Sequence, residues 1–118
     1  MLSTREIGML FLRVGALSGA TAVALGAYGA HAFKTNTQDE HKKHVFDTAN
    51  RYHFLHSMVL LAVPLVRKPL IAGSLLSLGL LMFSGSCYVY AIHDVDSIRK
   101  VTPFGGTLLI AGWIAMAL

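Results

Sequence analysis

Histidine is the side chain through which this chain could ligate a metal or move a proton near neutral pH, and it has six of them. His53 and His56 stand three residues apart, which places both imidazoles on one face of a helix, and imidazole is a common ligand of zinc, copper and iron. What a metal centre needs around such a pair is missing. There is no HExxH pattern and no carboxylate at a confirming interval, so hydrogen-bonded structural histidines explain the spacing better, and no metal or other cofactor is assigned. His41, His44 and Asp47 share a second face, but they stand beside Lys42 and Lys43 and read as a solvated, charged surface. No Ser-His-Asp or Cys-His arrangement occurs on a nucleophile elbow, and no glycine loop follows a strand to cradle phosphate. The chain therefore carries no sign of an enzyme. The one cysteine, Cys87, lies in an apolar block and reads as a small packing residue, silent on redox compartment.

The elements that must position these groups are unusually apolar. Of 118 residues 54% are hydrophobic and only 14% charged, with a mean hydropathy of +0.58. No charged residue occurs from Pro69 to Ile92, a run longer than the roughly 20 residues that cross about 30 Å of hydrocarbon. The fold class expected is all-α, a single domain over 1–118 forming an integral membrane bundle of four transmembrane helices. Helix 1 is placed at residues 14–33. Its Ala30-His31-Ala32 could be mistaken for a signal-peptidase site, but the apolar stretch before it is too long and is interrupted by Arg13. Helix 2 is placed at 38–66. Thr37-Gln38-Asp39-Glu40 fits a capping box at its start, and Val45, Phe46, Ala49, Tyr52 and His56 recur at three- and four-residue steps, so its N-terminal part is an amphipathic extension. Pro64 should kink its end. Arg67-Lys68-Pro69 turns into helix 3, residues 69–92, and Thr102 as N-cap with Pro103 behind it opens helix 4, residues 103–118, which is short for a full span.

Gly15, Gly19, Ala22, Gly26 and Gly29 fall on one face of helix 1, and Gly105, Gly106 and Gly112 offer a similar face on helix 4. In lipid, helices associate by close van der Waals approach, so these are the helix-packing residues, expected to meet each other within the bundle or to dock another subunit. Leu at Gly19 or Gly26 should then block assembly. If four helices alternate in direction, His31, Asn50, Arg51, His53, His56, Tyr88, Tyr90, His93 and Thr102 collect at one leaflet. His31, Asn50, His53 and His56 form the candidate polar cluster, with Tyr28, Asn50 and Thr102 as hydrogen-bonding partners, because an unpaired imidazole in hydrocarbon is costly. Arg13 is expected to snorkel to headgroups or to pair with the Leu118 carboxylate.

The net charge is +4 and the pI about 9.5, but the ten basic residues are scattered as singles and pairs between apolar blocks, which points to lipid headgroups and away from nucleic acid. Arg5, Arg13, Arg67 and Lys68 fall on the side of the termini and the other six on the opposite side, so the positive-inside count sets no orientation.

Three stretches carry a resemblance: Arg13-Val-Gly-Ala-Leu-Ser-Gly-Ala continuing to Gly26-Ala-Tyr-Gly-Ala-His31; Phe46-Asp-Thr-Ala49-Asn-Arg-Tyr52-His53-Phe-Leu-His56; and Thr102-Pro103-Phe-Gly105-Gly106 with Gly112-Trp113. With them the chain resembles the transmembrane protein 256 family, also known as domain of unknown function 423. The resemblance implies a small multi-spanning membrane protein without established chemistry, in the mitochondrial inner membrane of a eukaryote or the plasma membrane of a bacterium. The function expected is that of a structural or accessory subunit docking with larger membrane partners through its small-residue faces. The alternative is a quinone-, lipid- or metal-binding module built on the histidine cluster.

Overall fold

A computed structural model describes all 118 residues, and they contain helices and no strand. The first helix, α1, runs over Thr4–Tyr28 and continues through a π-helical turn, Gly29–Phe33, into a last turn, Lys34–Asn36. It begins ten residues before the expected start at 14, for a local reason. Ser3 Oγ accepts from the Glu6 N–H while the Glu6 carboxylate accepts from the Ser3 N–H, both at 3.1 Å, a complete capping box. Arg5 and Arg13 sit on exposed faces of the helix, and Arg13 makes no ion pair, with the C-terminal carboxylate or any other group. The π-turn inserts one residue into the repeat and brings both Gly29 and Phe33 to the inner face.

The second helix, α2, covers Glu40–Leu61. Its cap is Asp39 in place of the expected Thr37: the carboxylate accepts from the N–H groups of His41 and Lys42 at 2.9 and 3.3 Å. Pro64 lies in a 3₁₀ turn, Val63–Leu65, so the α-helix stops four residues earlier than Leu65. The third helix, α3, spans Pro69–His93 and is closed by Asp94 in the left-handed region at φ 58°. A 3₁₀ turn, Asp96–Lys100, leads to the fourth, α4, at Thr102–Met116. Thr102 is not its cap; Val101 holds that position, and the Thr102 hydroxyl instead meets Ser86 Oγ at 2.5 Å. Two of the four, α1 with its continuation and α3, are long and apolar enough to cross a membrane.

Each helix packs mainly on its neighbour in sequence, α1 on α2, α2 on α3, α3 on α4, as short connections favour. The two glycine faces therefore do not meet, contrary to expectation. That of α1 is filled by α2: a Cβ at Gly15 would lie 2.8 Å from both Leu60 Cβ and Ser57 O, and the Phe46 ring occupies the space beside Gly29. That of α4 is filled by α3, where a Cβ at Gly112 would meet Leu76 Cδ2 at 2.8 Å and one at Gly105 would run into the Phe83 amide. Gly106, only half-buried, faces the Phe83 ring at an ordinary 3.6 Å.

Two apolar clusters result. One, built on Phe33, Phe46, Ala49, Tyr88 and Ala91, lies toward the α1–α2 connection; the other, on Leu60, Val63, Leu76, Leu80 and Leu109, lies toward the α2–α3 turn. A polar layer separates them.

Candidate functional site

Asn50, His53 and Ser57 follow one another on α2 at steps of three and four, so they share a face. That face meets Ser18 of α1 and Tyr88 of α3. Asn50 Nδ2 donates to Ala22 O at 2.9 Å and to Tyr88 Oη at 3.1 Å. His53 reaches Tyr88 Oη with Nδ1 at 3.0 Å and Ser18 Oγ with Nε2 at 3.1 Å. Ser18 and Ser57 hydroxyls are 2.6 Å apart, and Ser57 Oγ donates to His53 O.

With a neutral His53 this chain has one consistent assignment of protons. Ser57 spends its proton on the His53 carbonyl, so Ser18 donates to Ser57 and must accept from His53 Nε2–H. His53 Nδ1 is then an acceptor for the Tyr88 hydroxyl, whose oxygen in turn receives Asn50. Every member is paired, as buried polar groups must be. Ala22 and Gly26 make the approach feasible: a Cβ at Gly26 would stand 3.1 Å from Asn50 Oδ1.

His56 belongs to a second unit with the opposite tautomer. Trp113 Nε1–H donates to His56 Nε2 at 3.0 Å, leaving Nδ1–H to donate to Tyr52 O at 2.8 Å. The two buried histidines, though a helical turn apart, share no partner. His31 joins neither, because it lies exposed on the π-turn of α1. The expected single cluster of His31, Asn50, His53 and His56 is thus three separate environments. Depth is the reason: Ser18, the partner of His53, falls near the middle of the 33-residue α1 helix, well away from the connection where His31 sits. Of the expected partners, Tyr28 is 42% exposed and packs on Phe33 and Phe46, and Thr102 is taken by Ser86. Ser18, Ser57 and Trp113 are partners of the buried polar side chains that the helical spacing does not predict. Lone hydroxyls inside apolar runs were the available signal, since polar groups at such depth turn inward to partners.

At the α1–α2 end the charged groups form a rim. Lys34 pairs with Asp47 at 2.7 Å, Lys42 with Asp94 at 2.5 Å, and Arg99 with Asp96 at 3.4 Å, while Arg99 also covers the Tyr90 ring. The hydrogen bond to Asp94 raises the Lys42 pKa above the ordinary lysine range. His41 and Asp47 are held in this rim, His41 edge-on to Tyr90 and Asp47 by Lys34; His44 and His93 are exposed.

Beside the polar layer, α1 and α3 stand apart and leave a cleft of about 350 Å³, with His53 and Leu60 of α2 at its base. Its walls are mainly apolar, with Leu25 and Leu81 among them, and the lining residues also include the hydroxyl-bearing Ser18, Thr21, Ser77 and Ser84. That size and mixture suit a small molecule. No cluster of three or more His, Cys, Asp or Glu side chains is placed to hold a metal ion, and each ring nitrogen of His53 and His56 is already committed to a hydrogen bond.

Residues 25–106 match the family described as Protein of unknown function (DUF423). Among curated relatives, a UPF0382 membrane protein of Staphylococcus aureus is 34% identical over 112 residues, covering 91% of each chain. The UPF0382 membrane protein YwdK of Bacillus subtilis is 32% identical over 112 residues, covering 89% of this chain and 90% of that one. A UPF0382 membrane protein of Schizosaccharomyces pombe is 35% identical over 116 residues, covering 92% and 98%. No solved structure matches. On a family match that reaches across Asn50, His53, His56 and Tyr88, and on relatives similar over nearly their whole length, this chain belongs to the DUF423 family of membrane proteins.

Proposed function

We propose that this chain crosses the bilayer four times and acts as a binding module that holds a small amphiphile in the cleft between α1 and α3. The four-span reading is supported by large apolar side chains left exposed on every helix, including Leu17, Phe54, Leu81 and Ile110, which water would penalise and lipid accepts. The polar layer, by contrast, is turned inward. The cleft is the observation that carries the binding role, since it sits at mid-depth, opens sideways past the 71% exposed Leu81, and has a polar base. Binding fits better than catalysis because the imidazoles and the Tyr88 phenol are locked into fixed bonds. Following the family resemblance, the membrane is the plasma membrane in a bacterial source and the mitochondrial inner membrane in a eukaryotic one.

An accessory or assembly role beside larger membrane subunits draws less support, because the glycine faces that motivated it are filled within the chain. Native mass spectrometry of the full chain in mild detergent separates the two. A stoichiometric small-molecule adduct supports the binding module. A bare chain that instead migrates with larger polypeptides supports the accessory subunit and sinks the module.

A further inference from the structure

Resting on the cleft as a binding site, we propose that its ligand is a neutral, long-chain amphiphile whose polar end is a hydroxyl group, and that Ser77 is the residue that binds it. Ligand chemistry is set by the donors and acceptors that the lining residues have left over. The cleft lining contains no Asp, Glu, Lys or Arg, and its one imidazole, His53, is buried with both ring nitrogens bonded within the protein. Thr21 Oγ1 donates to Leu17 O and Ser84 Oγ to Ala49 O, while Ser18 and Tyr88 give their protons to Ser57 and His53. These four oxygens keep lone pairs but have no proton left to give. Ser77 differs: its Oγ is buried and has no hydrogen-bond partner at all. The residues that line the cleft thus include several acceptors and one donor without a partner.

A ligand hydroxyl matches that inventory, since it donates once and accepts from Ser77. An ionised carboxylate or phosphate does not, because it is acceptor-only and would lie desolvated with one donor and no counter-charge. A quinone carbonyl would likewise use Ser77 alone and leave the acceptors unanswered. An ammonium would find acceptors but no negative charge.

Gly85 gives a second, independent reason to think the space is kept for a ligand. Glycine inside a helix costs about 0.5–1 kcal/mol relative to alanine, and at the helix contacts Gly15, Gly79 and Gly112 each have an atom within 3.0 Å of a would-be Cβ. At Gly85 a Cβ would meet only Leu81 Cδ1, at 4.0 Å. Nothing within the chain demands glycine there. A side chain at that position would project into the cleft.

The test uses the full chain in lipid vesicles and two photoactivatable probes of equal length, a diazirine-bearing long-chain alcohol and the matching carboxylic acid, at mildly alkaline pH. The alcohol should label peptides of α1 and α3 that border the cleft, with the acid weaker by about tenfold, the equivalent of one well-made hydrogen bond. Ser77→Ala, which breaks no bond inside the protein, should lower alcohol labelling by a similar factor. Gly85→Leu should abolish cleft labelling by both, with the elution volume and helical content of the wild type. Equal labelling by alcohol and acid, or an unaffected Ser77→Ala, overturns the hydroxyl assignment while the cleft remains a binding site. Labelling no higher than at the lipid-facing side of α4 overturns both, as does a wild-type dimer cross-linked through the cleft, which would make the occupant another helix.

Discussion

At the scale of single residues, glycine positions that look alike in sequence differ in what surrounds them. Gly15 is pinned between Leu60 and the Ser57 carbonyl, whereas a Cβ at Gly19 would meet only Ser57 Cβ at 3.8 Å. Gly15→Ala should therefore cost about 1–3 kcal/mol through overpacking, and Gly19→Ala close to nothing, measured as thermal unfolding in detergent. Equal losses at the two sites would mean that α1 does not sit on α2 as described. The sensitive positions thus include Gly15, and Gly19, singled out from the sequence, is the tolerant one. Trp113 offers a second residue-level reading because it is the chain's one tryptophan. It donates to His56 Nε2 only while that nitrogen is unprotonated. On acidification His56 gains a proton there, two donors face each other, and indole emission should change. His56→Gln, whose amide oxygen accepts at every pH, should remove the transition. Identical pH profiles for the two proteins would show that the indole is not bonded to His56.

At the scale of elements, the amphipathic start of α2 is fastened to the end of α3 by Lys42 and Asp94. Asp94 also terminates α3 in a left-handed conformation that Asn shares more readily than most residues. Because the Lys42 pKa is raised in the folded state, the stabilisation from this pair is fully present below the ordinary lysine pKa and is lost as pH rises through the raised value. Wild-type melting temperature should fall on going from mildly to strongly alkaline pH by more than that of Asp94→Asn, which keeps the backbone conformation but not the ion pair. Parallel curves would remove Lys42 as the titrating group. The pair is solvent-exposed on the Asp94 side, so the difference should shrink in high salt.

At the scale of the whole molecule, the helix ends alternate. Gly8 near the start of α1 packs on Pro64 beside the α2–α3 turn, while the α1–α2 connection and the Asp96–Lys100 turn share the opposite end with the charged rim. If all four helices cross, cysteines introduced at Ser3 and Arg67 should react with an impermeant thiol reagent from one side of sealed vesicles, and those at Asn36 and Ser97 from the other. If only α1 and α3 cross, Ser3 pairs with Ser97 and Asn36 with Arg67. Cys87 is buried and should contribute little background.

The helical class, the number of long helices, the approximate ends of α3 and the amphipathic start of α2 are legible in the order of residues, since apolar run length, capping residues and proline act over a few neighbouring residues. The α1 start is encoded locally as well, in the Ser3-Thr-Arg-Glu6 capping box. The partners of the polar side chains were decided only by the tertiary structure. His53 and His56 are a turn apart on one helix, yet one faces Ser18 and Tyr88 and the other Trp113, because a rotation of about 60° between such positions selects a different neighbouring helix. The glycine faces chose α2 and α3 in place of each other for the same reason: a smooth face specifies close approach, while the helix that makes it is set by connection length and by the side chains that fill the opposite surface.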